Sequence, residues 1–161
     1  MDLSYAQHLE DYHLSVAFGD QKKGFYIDVG AGHPVADNVS CWFYLRGWRG
    51  IVVEPQTELT ELYAHVRPRD IRETCVLGRA RGEVEFYAVD RLHGLSTIRP
   101  DVAAHAKDIG AKGYKTVKMP METLASLCEK HDVRKIDFLK IRSEEHTSEL
   151  QSHSFISYAV F

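Results

Sequence analysis

Two short apolar runs, each halted by a residue that ends a strand, limit this chain more than any other feature. Phe25-Tyr26-Ile27-Asp28-Val29 stops at Gly30, and Gly50-Ile51-Val52-Val53-Glu54 stops at Pro55. Runs this short, rich in β-branched and aromatic residues, fit strands buried on both faces, as in a parallel sheet. Between them Val39 to Arg46 predicts a helix, with Asn38 as its N-cap and Gly47 closing it. Glu58 to Val66 predicts a second helix, and Thr74 to Leu77 a third strand. A β-α-β-α-β order calls for right-handed crossovers and a mostly parallel, doubly wound, Rossmann-like α/β sheet.

The remainder is consistent with one such domain. Tyr5 to Phe18 predicts an amphipathic helix, so residues 1–23 read as a lead-in and 24–141 as the domain. Glu83 to Val89 predicts an antiparallel ribbon or edge strand after a turn at Arg81-Gly82. Gly94 to Gly113 is a loop-rich excursion with a weak helix from Val102 to Ile109; Met121 to His131 is a helix and Ile136 to Ile141 a buried strand. With 44% hydrophobic and 27% charged residues the chain has an ordinary globular composition. A net charge of -3 supplies no basic footprint, which disfavours nucleic acid and anionic membranes as partners. Cys41, Cys75 and Cys128 are widely spaced and read as thiols in a reducing compartment. MDLSYAQHLEDYHL lacks the pattern of a signal peptide, so a cytoplasmic location is expected. His8 and His13 do not share a helix face, and no metal site is expected.

The chemistry concentrates where the two strands end. Asp28-Val29-Gly30-Ala31-Gly32 lies where a strand turns toward a helix, the place where open α/β sheets bind ligands. Glycines at 30 and 32 allow a tight turn and a close approach to a cofactor. Glu54, at the end of the next strand, can accept hydrogen bonds from both hydroxyls of a ribose. Asp28, Gly30, Ala31, Gly32, Glu54 and Pro55 are therefore the candidate cofactor contacts. A dinucleotide enzyme would need a third glycine where this chain has Val35, and an anion beside Asp28 would be repelled, whereas the cationic S-adenosylmethionine would not. An NAD-dependent oxidoreductase and a noncatalytic binding domain are the competing readings. His33, Ser96 and Thr97 are candidate contacts to an acceptor substrate, and no residue is singled out as the catalytic base. Trp42, Phe43, Tyr44 and Trp48 fit a core more readily than a sugar-stacking platform.

Several runs together resemble the FkbM family of S-adenosylmethionine-dependent methyltransferases: Gly24 to Ala31, Pro34, Asn38-Val39-Ser40, Arg46 to Pro55, Gly94 to Thr97, and Ile136 to Ile141. Tyr5 to Asp11 is similar to the lead-in of some members. The resemblance implies a class I methyltransferase fold, S-adenosylmethionine as cofactor, and methyl transfer to a hydroxyl of a small-molecule or glycan acceptor, a sugar or secondary metabolite. It also implies that Asp28, Gly30 and Glu54 hold the cofactor.

After Lys140-Ile141 the resemblance calls for an acidic residue, then a glycine and further acids, but the chain has Arg142. Residues 142–153 instead read as the translation of a widely used sequencing-library adapter, and Ile156 to Phe161 as its far side in the same frame. Residues 142–161 are thus expected to be a non-native tail, leaving the domain incomplete in its C-terminal half. The strand at Ile136 to Ile141 would then have a bare edge, and the chain as written would lack turnover. Long-read sequencing of the locus checks this: a continuous genomic match through Phe161 contradicts it.

Overall fold

The two apolar runs become the centre of a sheet. In the computed structural model, which describes residues 3–89, 96–106, 111–143 and 155–160, the elements follow in the order α1 (Glu10–Phe18), β1 (Phe25–Val29), α2 (Val39–Leu45), β2 (Arg49–Val53), α3 (Thr57–Val66), β3 (Ile71–Glu73), β4 (Val76–Leu77), β5 (Gly82–Val89), α4 (Pro100–Ala106), β6 (Tyr114–Glu122), α5 (Leu124–Lys130), β7 (Phe138–Ser143) and β8 (Phe155–Val160). They fall into two units, Met1–Glu73 with Val133–Phe161, and Thr74–Asp132. Among the described residues no helix is long and apolar enough to cross a membrane.

The first unit carries a five-stranded sheet in the order β3-β2-β1-β7-β8. β1 pairs in parallel with β2 and with β7, β2 pairs in parallel with β3, and β8 runs antiparallel to β7. This is an α/β fold with a mostly parallel, Rossmann-like sheet. The chain steps from β1 to β3 on one side and returns to β7 on the other. The carboxyl end of β1 is therefore a topological switch point, where such sheets leave a crevice.

Alternation along β1 sends Tyr26 and Asp28 to one face and Ile27 and Val29 to the other, and all four are buried. On the first face Tyr26, Val52 and Phe138 pack with Leu14 of α1, Val39 and Phe43 of α2 and Tyr63 of α3. The rings of Phe43, Trp48 and Phe138 lie with centroids 4.9–6.0 Å apart, each pair adding about 0.5–1.5 kcal/mol beyond its buried area. Gly50 makes room for this layer: a Cβ there would lie 2.1 Å from the carbonyl oxygen of Tyr26, its partner in register.

Three expectations shift. The third strand of the main sheet is Ile71–Glu73, whereas Val76–Leu77 pairs with β6 in the second unit. The expected bare edge of β7 is covered, because Phe155–Val160 pairs along it from Phe138↔Val160 to Ser143↔Phe155. The lead-in helix begins at Glu10 rather than Tyr5, because the buried Asp11 carboxylate draws the preceding chain onto itself, accepting from Tyr5 N–H at 2.7 Å and Ser4 Oγ–H at 2.6 Å.

The second unit holds a three-stranded sheet, β4-β6-β5. The antiparallel ribbon expected at Glu83 to Val89 is present, and its partner β6 was not anticipated. α5 starts at Leu124, set by a capping box in which Thr123 Oγ1 accepts from Ser126 N–H and Ser126 Oγ accepts from Thr123 N–H, both at 3.0 Å. α4 ends at Ala106; residues 107–110, where the weak helix was expected to continue, lie outside the described residues.

Candidate functional site

Gly30 and Gly32 adopt φ values of 63° and 65°, a region side chains strongly disfavour. The positive φ lets the turn fold back on the end of β2: Gly30 N–H and Ala31 N–H donate to Val53 O at 2.9 and 3.1 Å. Gly32 N–H then donates to Glu54 Oε2 at 2.8 Å. Glu54 is 4% exposed, and its Oε1 accepts from Gln56 N–H at 3.0 Å and the Gln56 side-chain amide at 3.3 Å. Half-buried Pro55 carries no N–H, so Gln56 is the first backbone donor available after Glu54. The turn and the acidic strand end thus form one hydrogen-bonded unit at the switch point.

Burial pushes the Glu54 carboxyl up, against the opposing pull of the Gln56 and Gly32 hydrogen bonds and the charge of Lys140. A raised folded value means that Glu54 contributes stability fully present below its unfolded value and lost as pH rises through the folded one. A ligand hydroxyl needs the ionised carboxylate as acceptor and follows the opposite trend. Stability and ligand affinity should therefore move in opposite senses over this group's titration, which starts from about 4.3 in an ordinary glutamate.

Asp28 is fully buried at the same end of β1. Its Oδ2 accepts from Ser40 Oγ–H at 2.6 Å, and its Oδ1 lies 2.8 Å from Lys140 Nζ in an ion pair without a directed hydrogen bond. Lys140, 2% exposed on β7, also donates to Gly30 O at 2.8 Å. Lys140 neutralises Asp28, so the expectation that Asp28 repels anionic ligands is corrected. What separates this turn from a dinucleotide site is instead geometric. Residues 33–38 lie between Gly32 and α2, so the turn does not lead straight into a helix as the dinucleotide fingerprint does.

A buried arginine beneath the following loop went unnoticed in the sequence. Arg67 is 1% exposed and spends its five N–H donors on five acceptors. Nε donates to Asp70 Oδ2 at 2.8 Å, Nη1 to Pro34 O at 3.2 Å and Asn38 Oδ1 at 2.9 Å, and Nη2 to the Tyr26 hydroxyl at 2.8 Å and Ser40 Oγ at 2.9 Å. Burial opposes the Arg67 charge, but Tyr26 and Asp70 outweigh it and hold its pKa above the ordinary value. Asn38, expected to cap α2, makes no side-chain cap bond. Its amide instead donates to Ala31 O at 3.0 Å, His33 O at 3.1 Å and the Tyr63 hydroxyl at 2.8 Å. Asn38, Arg67 and Lys140 together hold the carbonyls of Gly30, Ala31, His33 and Pro34, which preorganises the loop.

Of the candidate acceptor contacts, His33 belongs to the first unit and Ser96 and Thr97 to the second. His33 is exposed, and its Nδ1 accepts from Val35 and Ala36 N–H at 3.2 and 3.0 Å, a turn-capping arrangement. Ser96 and Thr97 belong to the second unit. There Ser96 Oγ accepts from Val89 N–H, Thr97 Oγ1 accepts from Arg99 N–H, and the Thr97 backbone bridges to Tyr87. Gly94 and Leu95 lie outside the described residues. Phe43, Tyr44 and Trp48 are core, and partly buried Trp42 carries the Arg46 guanidinium 3.5 Å over its ring. A shallow cavity of about 370 Å³ lies against α1 and α2, lined by Phe18, Trp42, Arg46 and Trp48 among others, and includes none of the candidate cofactor residues. Hydrogen-bond geometry marks the site at the glycine turn.

A family model described as the methyltransferase FkbM domain matches residues 28–146, from Asp28 near the end of β1 to just past the end of β7. No curated protein and no solved structure matches the chain.

Proposed function

Since the chain belongs to the methyltransferase FkbM domain family, we propose that its glycine turn and Glu54 bind S-adenosylmethionine, and that the activity is methyl transfer to a hydroxyl of a sugar or secondary metabolite. The observation that carries this reading is the Gly32 N–H to Glu54 bond of 2.8 Å, which holds a carboxylate acceptor beside a turn whose two glycines carry no side chain. The donor set fits: among the described residues Glu54 Oε2 accepts from Gly32 N–H and can also accept a ligand hydroxyl, and Gly32 carries no Cβ. Glu54 would take ribose hydroxyls, Gly30, Ala31 and Gly32 would line the cofactor, and Pro55 would shape the end of β2. Asp28 would act from below the turn through Lys140 and Ser40. When bound, the cofactor supplies an electrophilic methyl carbon on a cationic sulfur. The chain's contribution is to hold the donor still for in-line attack, a matter of alignment.

Calorimetric titration tests the assignment. S-adenosylmethionine should bind and NAD should not. Glu54→Gln should weaken the cofactor by about 1.5–3 kcal/mol, the range for a hydrogen bond to a charged group, or roughly 10- to 150-fold. Affinity should fall on acidification at a pH above the ordinary glutamate range, and that fall should vanish in Glu54→Gln. NAD binding with no response to S-adenosylmethionine would overturn the reading.

A further inference from the structure

The peptide unit that joins Ala31 to Gly32 is held at both ends. Its N–H, on Gly32, donates to Glu54 Oε2 at 2.8 Å, and its carbonyl, on Ala31, accepts from the Asn38 side-chain amide at 3.0 Å. A peptide unit is planar, so the bond to Asn38 fixes the direction in which the Gly32 N–H points. Asn38 is anchored in turn by the lead-in segment. Its backbone N–H donates to Tyr5 O at 2.8 Å, and the N–H of Tyr5 donates to Asp11 Oδ2 at 2.7 Å. Asp11 is fully buried and also accepts from Ser4 Oγ–H at 2.6 Å and Tyr12 N–H at 2.8 Å. A continuous chain of hydrogen bonds therefore runs from an acid on α1 to the glycine turn, by way of Tyr5 and Asn38. Every member lies in the first unit. Asp11 and Tyr5 lie ahead of residue 28, where the family match begins.

We propose that Asp11 is a positioning residue for the methyl donor: by fixing Tyr5 it holds Asn38, and through Asn38 it holds the peptide that presents the Gly32 N–H to Glu54. The proposal rests on the assignment of S-adenosylmethionine to this turn. A carboxylate taken out of water must have its hydration replaced by hydrogen bonds. Two of the donors to Asp11 come from Ser4 and Tyr5, so its burial is tied to the order of the lead-in. The adjacent acid shows the contrast. Glu10 is also buried, but its Oε2 accepts from the N–H of exposed His8 at 2.8 Å, outside the path to Asn38. Without the Asp11 acceptor, Tyr5 is released, Asn38 loses its backbone anchor, and the Ala31–Gly32 peptide regains freedom that ligand binding must then remove. Affinity falls although no contact to the ligand is deleted.

The test uses the full chain and two readouts: calorimetric titration with S-adenosylmethionine, and backbone amide resonances of the ligand-free protein. Asp11→Ala should bind the donor roughly 10-fold more weakly, the measure of about one hydrogen bond. Its Gly32 and Asn38 amide resonances should move, and their hydrogen exchange should quicken, before any ligand is added. Asp11→Asn keeps one acceptor oxygen and should lie between, at roughly 3-fold. Glu10→Ala makes the same truncation on the neighbouring buried acid and should leave donor affinity and the Gly32 resonance as in the parent. Circular dichroism verifies each fold, and if Asp11→Ala does not fold, Asp11→Asn decides by the same two readouts. Parent-like affinity in the Asp11 variants, or an equal loss in Glu10→Ala, overturns the positioning role while the cofactor assignment stands. If the parent chain and all variants fail to bind S-adenosylmethionine, the assignment fails and the inference falls with it.

Discussion

Arg67→Met should destabilise the first unit by about 3–5 kcal/mol, the cost of leaving a buried charge without its partner. Typical domains have only about 5–15 kcal/mol of stability, so this single change should leave much of the protein unfolded at moderate temperature. The Asp70 side chain is fully buried; its carboxyl is raised by burial and held down chiefly by Arg67, whose Nη2 lies 2.6 Å away. The methionine can fill the space and even lie against the rings of Tyr44 and Tyr63, which the guanidinium now overlies at 5.0 Å. It cannot satisfy Asp70, the Tyr26 hydroxyl, Asn38 Oδ1 or Pro34 O. Arg67→Lys retains the charge with three donors in place of five and should fall between. Urea denaturation checks the order: parent, then lysine, then methionine. Equal midpoints for all three would contradict the network.

Lys140→Met should cost about as much, roughly 3–5 kcal/mol, for the same reason applied to Asp28. Asp28 is fully buried, and its Oδ1 has Lys140 as its ion-pair partner. The variant also removes the donor to Gly30 O, so the glycine turn loses its support from β7. The damage should be recoverable in part. Asp28→Asn in the Lys140→Met background removes the orphaned charge, and the double variant should be more stable than Lys140→Met alone, a coupling that a double-mutant cycle measures directly. Strict additivity would show that the two side chains do not interact.

The sequence was readable where backbone periodicity and special dihedrals dominate. β1, α2, β2 and α3 lie within a few residues of their expected positions, because short apolar runs between glycine and proline stops have few alternatives. The turn at Gly30 and Gly32 was legible because both positions need positive φ. The buried polar network was not. In Arg67-Pro68-Arg69-Asp70 an arginine reads as surface, since arginine is seldom fully buried, and only tertiary packing distinguishes Arg67 from Arg69. The two local signals that could have pointed to it are Asn38 and Ser40, polar residues at the start of a helix facing a sheet. β6 was hidden by Lys115, Lys118 and Pro120; Pro120 is tolerated because β4 pairs only at Met121 and Glu122, leaving β6 with β5 alone beside it at that position. β3 was displaced because an edge strand needs less apolar character, and Ile71-Arg72-Glu73 has less than the run that follows. The charge of Asp28 was visible in the sequence, but its cancellation by a lysine 112 residues later was not.

The central claim is that a methyl donor lies across the turn at Gly30 and Gly32 with its ribose on Glu54. Backbone amide shifts of the isotope-labelled protein, followed while S-adenosylmethionine is added, test it most directly. The largest shifts should fall on Gly30, Ala31, Gly32, Glu54 and Gln56, with the Gly32 N–H foremost because it shares the Glu54 carboxylate. Shifts confined to the groove at Trp42 and Arg46, with the glycine turn unmoved at saturating ligand, would contradict it.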